Sequence, residues 1–333
     1  MTRKIVFVTG GAGFVGSNIV ARLAEDLSLD LVVCDRLRGS ETGKWRNIAK
    51  HPIGDLVLPE DMMEWLEKRW RDVEIVVHMA AVTSGAETDA DRMVHGNFGL
   101  SRDLFRWCAD RQRRMVWASS SAVYGDGAAG FADSEDLADL AALRPTSPTG
   151  WSKAMFDFFA VRQALRDYAP PQWAGLRLFN PYGPNEVHKG PHASLAAQFH
   201  RAAVRGRSVQ IFRSHKQGVA DGAQTRDFTH VEDIAAVVEW LLRNPAVNGV
   251  YNVGSGEAKS LNTLARTVFA AAGQPPRIDY VEAPEAIRSR YRYQVEAPLG
   301  RLREAGYTEA MTPMERGVSE YIERYLSQPD PHR

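Results

Sequence analysis

Residues 4–16 read Lys4-Ile5-Val6-Phe7-Val8-Thr9-Gly10-Gly11-Ala12-Gly13-Phe14-Val15-Gly16. Ile5 to Val8 form a short apolar run, the mark of a strand buried on both faces. Gly10, Gly11, Gly13 and Gly16 then predict a turn, and Ser17 to Asp26 a helix. Glycines serve three uses in such a turn: a tight bend, close approach of backbone to a pyrophosphate, and close packing of helix on strand. The new helix aims free N–H groups and the positive end of its dipole at the phosphates. A second strand, Leu29 to Cys34, ends in Asp35, about twenty residues on, where an acid for a ribose hydroxyl belongs. The glycine spacing alone is weak, but with strand, helix, strand and acid around it a dinucleotide-binding unit is predicted.

Outward from this unit, Arg36 follows Asp35, with Arg38, Lys44 and Arg46 close behind. Cations there suit a ribose 2′-phosphate and so NADP, although a solvated basic loop reads the same way. Glu60 to Arg71 is predicted helical, with Met62, Met63, Leu66 and Trp70 as a core stripe. A buried strand over Glu74 to His78 leads into Met79-Ala80-Ala81-Val82-Thr83-Ser84, whose small residues let a cofactor pass over the strand end. His78 is expected to pack there rather than to catalyse. Asp91 to Arg111 reads as one long helix containing Asn97. The strand Met115 to Ser119 ends in Ser119-Ser120-Ser121-Ala122-Val123-Tyr124-Gly125, hydroxyls at the carboxyl end of a central strand, where a doubly wound sheet binds its ligands. Thr149 to Asp167 is predicted helical, with Ser152 and Lys153 in its first turn. Gly175 to Phe179 is a fifth strand, running into Asn180-Pro181-Tyr182-Gly183-Pro184. Five strands alternating with helices predict an α/β fold with a parallel, doubly wound, Rossmann-type sheet.

Beyond residue 180 the alternation loosens. Helices are predicted over Ala193–Arg205, Val231–Arg243, Leu261–Ala272 and Ala310–Leu326, with short strands at Val209–Phe212 and Val250–Val253, the latter rejoining the sheet. Ser214 to Thr225 reads as a polar, mobile loop. The expected division is residues 1–180, with a returning segment near 226–256, as the dinucleotide-binding domain. Residues 181–225 and 257–330 form a smaller α/β substrate-binding lobe. The 333 residues carry 41 basic and 41 acidic side chains, so no global attraction to nucleic acid or anionic membrane is expected. No apolar stretch is long enough to span a bilayer, and Met1 to Lys4 run straight into the first strand. A cytoplasmic protein without a metal centre is expected, with Cys34 and Cys108 as reduced core thiols.

Taken together, Thr9 to Gly16, His78-Met79-Ala80-Ala81, Ser119 to Gly125 and Asn180 to Pro184 resemble the extended short-chain dehydrogenases/reductases that act on nucleotide sugars. Gly183-Pro184-Asn185-Glu186-Val187-His188-Lys189-Gly190 resembles the signature of the ADP-L-glycero-D-manno-heptose 6-epimerases. So do Arg290-Tyr291 with Leu302 to Tyr307, and the closing Gly317-Val318-Ser319-Glu320-Tyr321. The resemblance implies an NAD(P)-dependent epimerase that oxidises a sugar carbon of an ADP-heptose transiently, then returns hydride to the other face. A 4-epimerase, dehydratase or ketoreductase of a related sugar nucleotide is the nearest alternative, and a non-catalytic sensor the next. Two acid/base groups are needed, one for each face.

By resemblance Lys153 holds the nicotinamide ribose, Ser120 hydrogen-bonds the reacting oxygen, and Lys189 is the second base. Gly10, Gly13, Phe14, Val15, Gly16, Asp35, Arg36, Lys44, Ala80, Ala81 and Asn97 are the expected cofactor contacts. For the ADP-sugar, Thr83, Ser84 and Glu87 follow the strand that ends at His78. Asn180, Lys189, His192, Arg226, Arg290 and Tyr291 are placed to meet sugar hydroxyls or pyrophosphate, the arginines through paired donors. A homo-oligomer is implied by the resemblance alone.

One residue breaks the pattern. Four residues before Lys153, where the family carries its catalytic tyrosine, stands Thr149, and no tyrosine lies between Gly125 and Asp167. A phenol ionises near pKa 10 and an aliphatic alcohol nearer to water at roughly 15.7. At about 1.36 kcal/mol per unit, the alkoxide costs on the order of 8 kcal/mol more. Thr149 can pass a hydrogen bond or position a water, but proton handling is expected to have moved. The candidates are Lys189 alone, or Tyr124, Tyr182 or Tyr291.

Overall fold

Along β1 (Lys4–Thr9) successive side chains enter two different cores. Ile5 and Phe7 pack on one face of the sheet and Val6 and Val8 on the other, as the two-residue period of a strand requires. The computed structural model describes residues 4–37, 43–82, 89–288 and 291–333. On the Val6 face lie α1 (Phe14–Leu23), through Ile19, Val20 and Leu23, and Val231–Arg243, through Ile234, Val237 and Leu241. On the Phe7 face lie α2 (Met62–Arg69) and the segments Leu100–Asp110 and Pro148–Ala164. Each buried large apolar side chain is worth about 1.5–3 kcal/mol. Covered on both faces, the strands have near-continuous apolar sequences.

The sheet has seven parallel strands. They are β1, β2 (Leu29–Cys34), β3 (Asp55–Val57), β4 (Val73–His78), β5 (Arg114–Ser120), β6 (Trp173–Leu178) and the returning Gly249–Val253. Their order is β3-β2-β1-β4-β5-β6 with the returning strand outermost. The order reverses between β1 and β4, and such a switch point opens a crevice at the carboxyl ends of the strands. A separate core, built from Leu195–Val204, Leu261–Ala271 and Met314–Tyr321, contains Phe199, Leu264, Phe269, Met314 and Tyr321. Beside it Val209–Phe212 pairs in parallel with Ile278–Val281, and Thr225–Asp227 pairs antiparallel with Ala258–Ser260.

The closing helix starts at Met314 rather than Ala310 and ends in a π-helical turn over Ile322–Leu326, and two further elements differ from expectation. The helix read as continuous over 91–111 is Ala90–Met93, a π-helical turn over Val94–Gly99, then Leu100–Asp110. Gly96 and Gly99 sit in the widened turn, and the Asn97 side chain leaves the helix to bond the backbone of Val82. The short, mostly exposed β3 was not anticipated. Cys34 and Cys108 are buried free thiols, and burial pushes Cys34 up to about 12. Among the described residues no helix is long and apolar enough to cross a membrane, and no cluster of ligating side chains could hold a metal.

Candidate active site

The glycine turn joins β1 to α1 at the switch point. Gly10 has φ +68°, and a Cβ there would stand 2.7 Å from the Ala80 amide nitrogen, so β1 and the end of β4 meet backbone to backbone. A Cβ on Gly16 would stand 2.2 Å from the Gly10 carbonyl oxygen, so the first turn of α1 rests on the loop itself. Phe14 and Val15 open α1, and the cap at Gly13 uses no side chain. The amino end of this helix thus presents backbone donors and a positive dipole, a cradle that fits a pyrophosphate. Ala80 and Ala81 continue from β4, and the Ala80 amide donates to Thr9 Oγ1 at 3.3 Å. Behind them His78 is sealed between Thr9 Oγ1 (2.7 Å) and Ser101 Oγ (2.9 Å), a packed histidine as expected.

At the end of β2, Asp35 bridges the loop and its own cations. Oδ2 accepts from the Ala12 amide at 2.9 Å, while Oδ1 accepts from the Arg36 amide at 2.7 Å and Lys44 Nζ at 2.5 Å. Arg36 is more exposed and reaches Glu60 at 3.2 Å.

A second cluster gathers at the end of β5. Ser120 Oγ accepts from the Ala122 amide at 3.1 Å. Lys153 is 5% exposed and its Nζ donates to the Ala118 carbonyl at 2.6 Å, while burial lowers the amine to about 8. Thr149 and Lys153 share the first turns of the helix Pro148–Ala164, capped by Ser147. Asn97 accepts from the Val82 amide at 2.7 Å and donates to the Val82 carbonyl at 3.2 Å and Ser152 Oγ at 3.1 Å. It therefore holds the segment after β4 against the helix that carries Lys153.

Lys189 lies in a 3₁₀ segment, Val187–His192, that closes over the glycine loop. Its ammonium stands 4.9 Å from the centre of the Phe14 ring, and burial lowers it, with Glu186 opposing. The neighbouring His188 Nδ1 is 3.1 Å from Asn47, whose amide also donates to Ala12 O and Asn185 O. His192, at the end of the segment, is exposed.

The remaining predicted contacts come from segments that follow β6. Asn180 has φ +33° and donates to Asp227 O at 2.7 Å. The Arg226 guanidinium lies 5.2 Å from the Tyr291 ring. Sequence reasoning did not assign Arg292, whose Nη1 donates to Ser121 O at 3.2 Å and so brings its stretch of chain to the end of β5. Burial depresses both arginines, and the charge of Arg226 further depresses Arg292. Two desolvated cations this close form a site suited to an anion. The only sequence signal for Arg292 was the arginine-rich stretch 288–292. Thr83, Ser84, Glu87 and Arg290 lie outside the described residues.

Two of the tyrosines considered as proton carriers are committed elsewhere. The Tyr124 hydroxyl donates to Asn252 Oδ1 at 2.7 Å, accepts from Arg177 at 2.9 Å and is pushed up to about 12 by burial. Tyr182 is 1% exposed, wedged between His230 and Tyr321, and burial raises it further. Tyr291 remains partly open, beside Arg226. A cavity of about 600 Å³ lies at the opposite edge, where the strands begin, and there Lys4 and Arg114 both pair with Glu74.

Residues 6–254, three quarters of the chain, match the NAD dependent epimerase/dehydratase family. The chain belongs to that family. Over 328 residues it is 42% identical to an ADP-L-glycero-D-manno-heptose-6-epimerase of Nitratidesulfovibrio vulgaris, covering 98% of this chain and 99% of the relative. A Fusobacterium nucleatum protein of the same name is 37% identical over 334 residues, covering 98% and 99%. Among solved structures, the Helicobacter pylori ADP-L-glycero-D-manno-heptose-6-epimerase superposes with TM-score 0.79 at 25% identity, covering 97% and 96%. A Methanobrevibacter ruminantium UDP-N-acetylglucosamine 4-epimerase reaches 0.81 at 27%, covering 98% and 100%. In this epimerase/dehydratase family member the glycine cradle, the β5 end, Arg226 and Arg292 share the carboxyl side of one sheet.

Proposed function

We propose that this chain is an NAD(P)-dependent epimerase of an ADP-heptose, acting by transient oxidation to a keto-sugar and reduction on the other face. The observation that carries the reading is the seating of Lys189. A desolvated amine closes over the glycine loop from one side, while Ser120 and Lys153 stand at the end of β5. Two acid/base positions around one cleft are what inversion of a carbinol carbon requires. The near-full-length likeness to proteins named ADP-heptose epimerases supports the substrate class.

When bound, a nicotinamide dinucleotide supplies the hydride acceptor and donor. The chain's own residues do the rest. The Gly10–Gly16 loop receives the pyrophosphate, and Lys44 beside Asp35 offers a cation to a ribose 2′-phosphate, which favours NADP. Ser120 hydrogen-bonds the reacting oxygen, and Lys189 exchanges the proton on one face. Arg226 and Arg292 hold the pyrophosphate of the ADP-sugar, with Tyr291 and Asn180 beside them.

Incubation with ADP-heptoses, followed by proton NMR, tests this: inversion at each carbon changes a different coupling, and change at carbon 6 is expected. Lys189→Ala is expected to abolish turnover while keeping the dinucleotide. Full activity of that variant overturns the role given to Lys189. Binding of ADP-heptose by the wild-type protein without turnover overturns the epimerase reading in favour of a sensor.

A further inference from the structure

The β5 end has a hydroxyl for the reacting oxygen, but the phenol that follows it, Tyr124, is committed to Asn252 and Arg177. We propose that Lys153 fills that role, exchanging the proton of the substrate oxygen through the hydroxyl of Thr149; this rests on the epimerase reading above. Thr149 and Lys153 are four residues apart on one helix, so they share a face with Cβ atoms about 5–6 Å apart. The helix is pinned to the Ser120 segment on both sides. Lys153 Nζ holds the carbonyl of Ala118, two residues before Ser120. Gly150 lies so close to the carbonyl of Ala122, two residues after it, that a Cβ would stand at 2.5 Å. Thr149 therefore borders the reacting hydroxyl's own loop. Among the described residues its Oγ makes no hydrogen bond, and Lys153 spends one of its three donors on Ala118.

The charges around Lys153 suit the task. On its own helix Asp157 draws its amine up, but that carboxylate is already paired with Arg177 of β6 at 2.9 Å. From β4, His78 faces it and stays neutral, held at about 3. Burial dominates and leaves Lys153 at about 8, within the range that enzymes use for a general base.

The step balances. A bound oxidised nicotinamide dinucleotide would supply the acceptor for the sugar C–H hydride, and the O–H electron pair becomes the second C=O bond. The hydroxyl proton passes to Thr149 Oγ as the threonine's own proton passes to the lone pair of Lys153. Neutral amine becomes ammonium, and threonine never becomes an alkoxide, so the cost of that ion is avoided. Reduction from the same side runs the transfer backwards.

Titration of the ¹³C-lysine-labelled, cofactor-free protein by NMR, with Lys153 assigned by its loss in Lys153→Arg, reads the group without turnover. A midpoint near 8 is expected, and an amine still charged at about pH 10, the ordinary lysine range, overturns the proposal. In kinetics, Thr149→Val is expected to lower kcat about a hundredfold or more, with dinucleotide affinity kept, and Thr149→Ser to restore most of it. Lys153→Arg keeps a cation for the ribose but cannot give up its proton, and is expected to match Thr149→Val. Undiminished kcat in Thr149→Val overturns the relay. If wild type inverts no ADP-heptose, the epimerase reading fails, and the titration still decides separately whether Lys153 is the exchangeable group.

Discussion

Arg177 Nε lies 2.9 Å from Asp157 Oδ2, and neither side chain reaches solvent. The same carboxylate accepts from Ser119 Oγ at 2.8 Å and Trp117 Nε1 at 3.2 Å. One buried ion pair thus ties the helix carrying Lys153 to β5 and β6, a residue away from Ser120. Removing one partner strands a buried charge, a loss of about 3–5 kcal/mol. Asp157→Ala is expected to lose stability on that scale in urea denaturation, and Asp157→Leu combined with Arg177→Met to lose clearly less.

Asp35 and Lys44 predict which dinucleotide is preferred. With Lys44 on Oδ1 and the Ala12 amide on Oδ2, the carboxylate is already paired, which weakens it as an acceptor for a ribose 2′-hydroxyl. Lys44→Ala is expected to weaken NADP about tenfold, or about 1.4 kcal/mol, and to leave NAD unchanged or tighter. Calorimetric titration of the cofactor-free protein with each dinucleotide checks this. An equal loss for both would show that Lys44 does not meet the 2′-phosphate.

Much of this arrangement is legible in the sequence because it is local. The apolar run Ile5–Val8, the glycines and Asp35 lie within thirty-two residues, and together they place loop, helix and acid. The parallel sheet follows from strands that are apolar throughout. The rest depends on contacts that no short window contains. Asp55–Val57 is too short and exposed to show a period. The π turn at Val94–Gly99 keeps the helical apolar pattern on either side, so only Gly96 and Gly99 hint at it. That Tyr124 is occupied follows from Asn252 and Arg177, far away in the chain. Arg292 acquires its place from a carbonyl in β5's trailing loop.

Tyr124 makes a sharp contrast with a catalytic phenol. Its hydroxyl bonds both Asn252 and Arg177 inside the protein, so Tyr124→Phe leaves two buried partners short of a bond. A loss of about 1–3 kcal/mol is expected, with kcat retained at temperatures where the variant is folded. Abolished turnover in a fully folded Tyr124→Phe would return this residue to the list of proton carriers.

His78 sets an acid limit on the fold. Burial between Thr9 and Ser101 lowers it from 6.5 to about 3, with the Lys153 charge adding to the effect. Below pH 6.5 the unfolded chain therefore takes up a proton that the folded chain refuses. Its contribution is complete above pH 6.5 and is lost as the pH falls toward 3, amounting to about 3 kcal/mol by pH 4. His188 and His230, each lowered to about 4 by burial, act in the same direction. Thermal unfolding followed from pH 7 to pH 4 is expected to show a falling melting temperature. His78→Asn begins from a lower value because it loses a hydrogen bond, but it has no proton to gain and its decline is shallower. Parallel declines in the two proteins would mean that the unfolding reports other groups and that His78 accepts its proton without leaving the core.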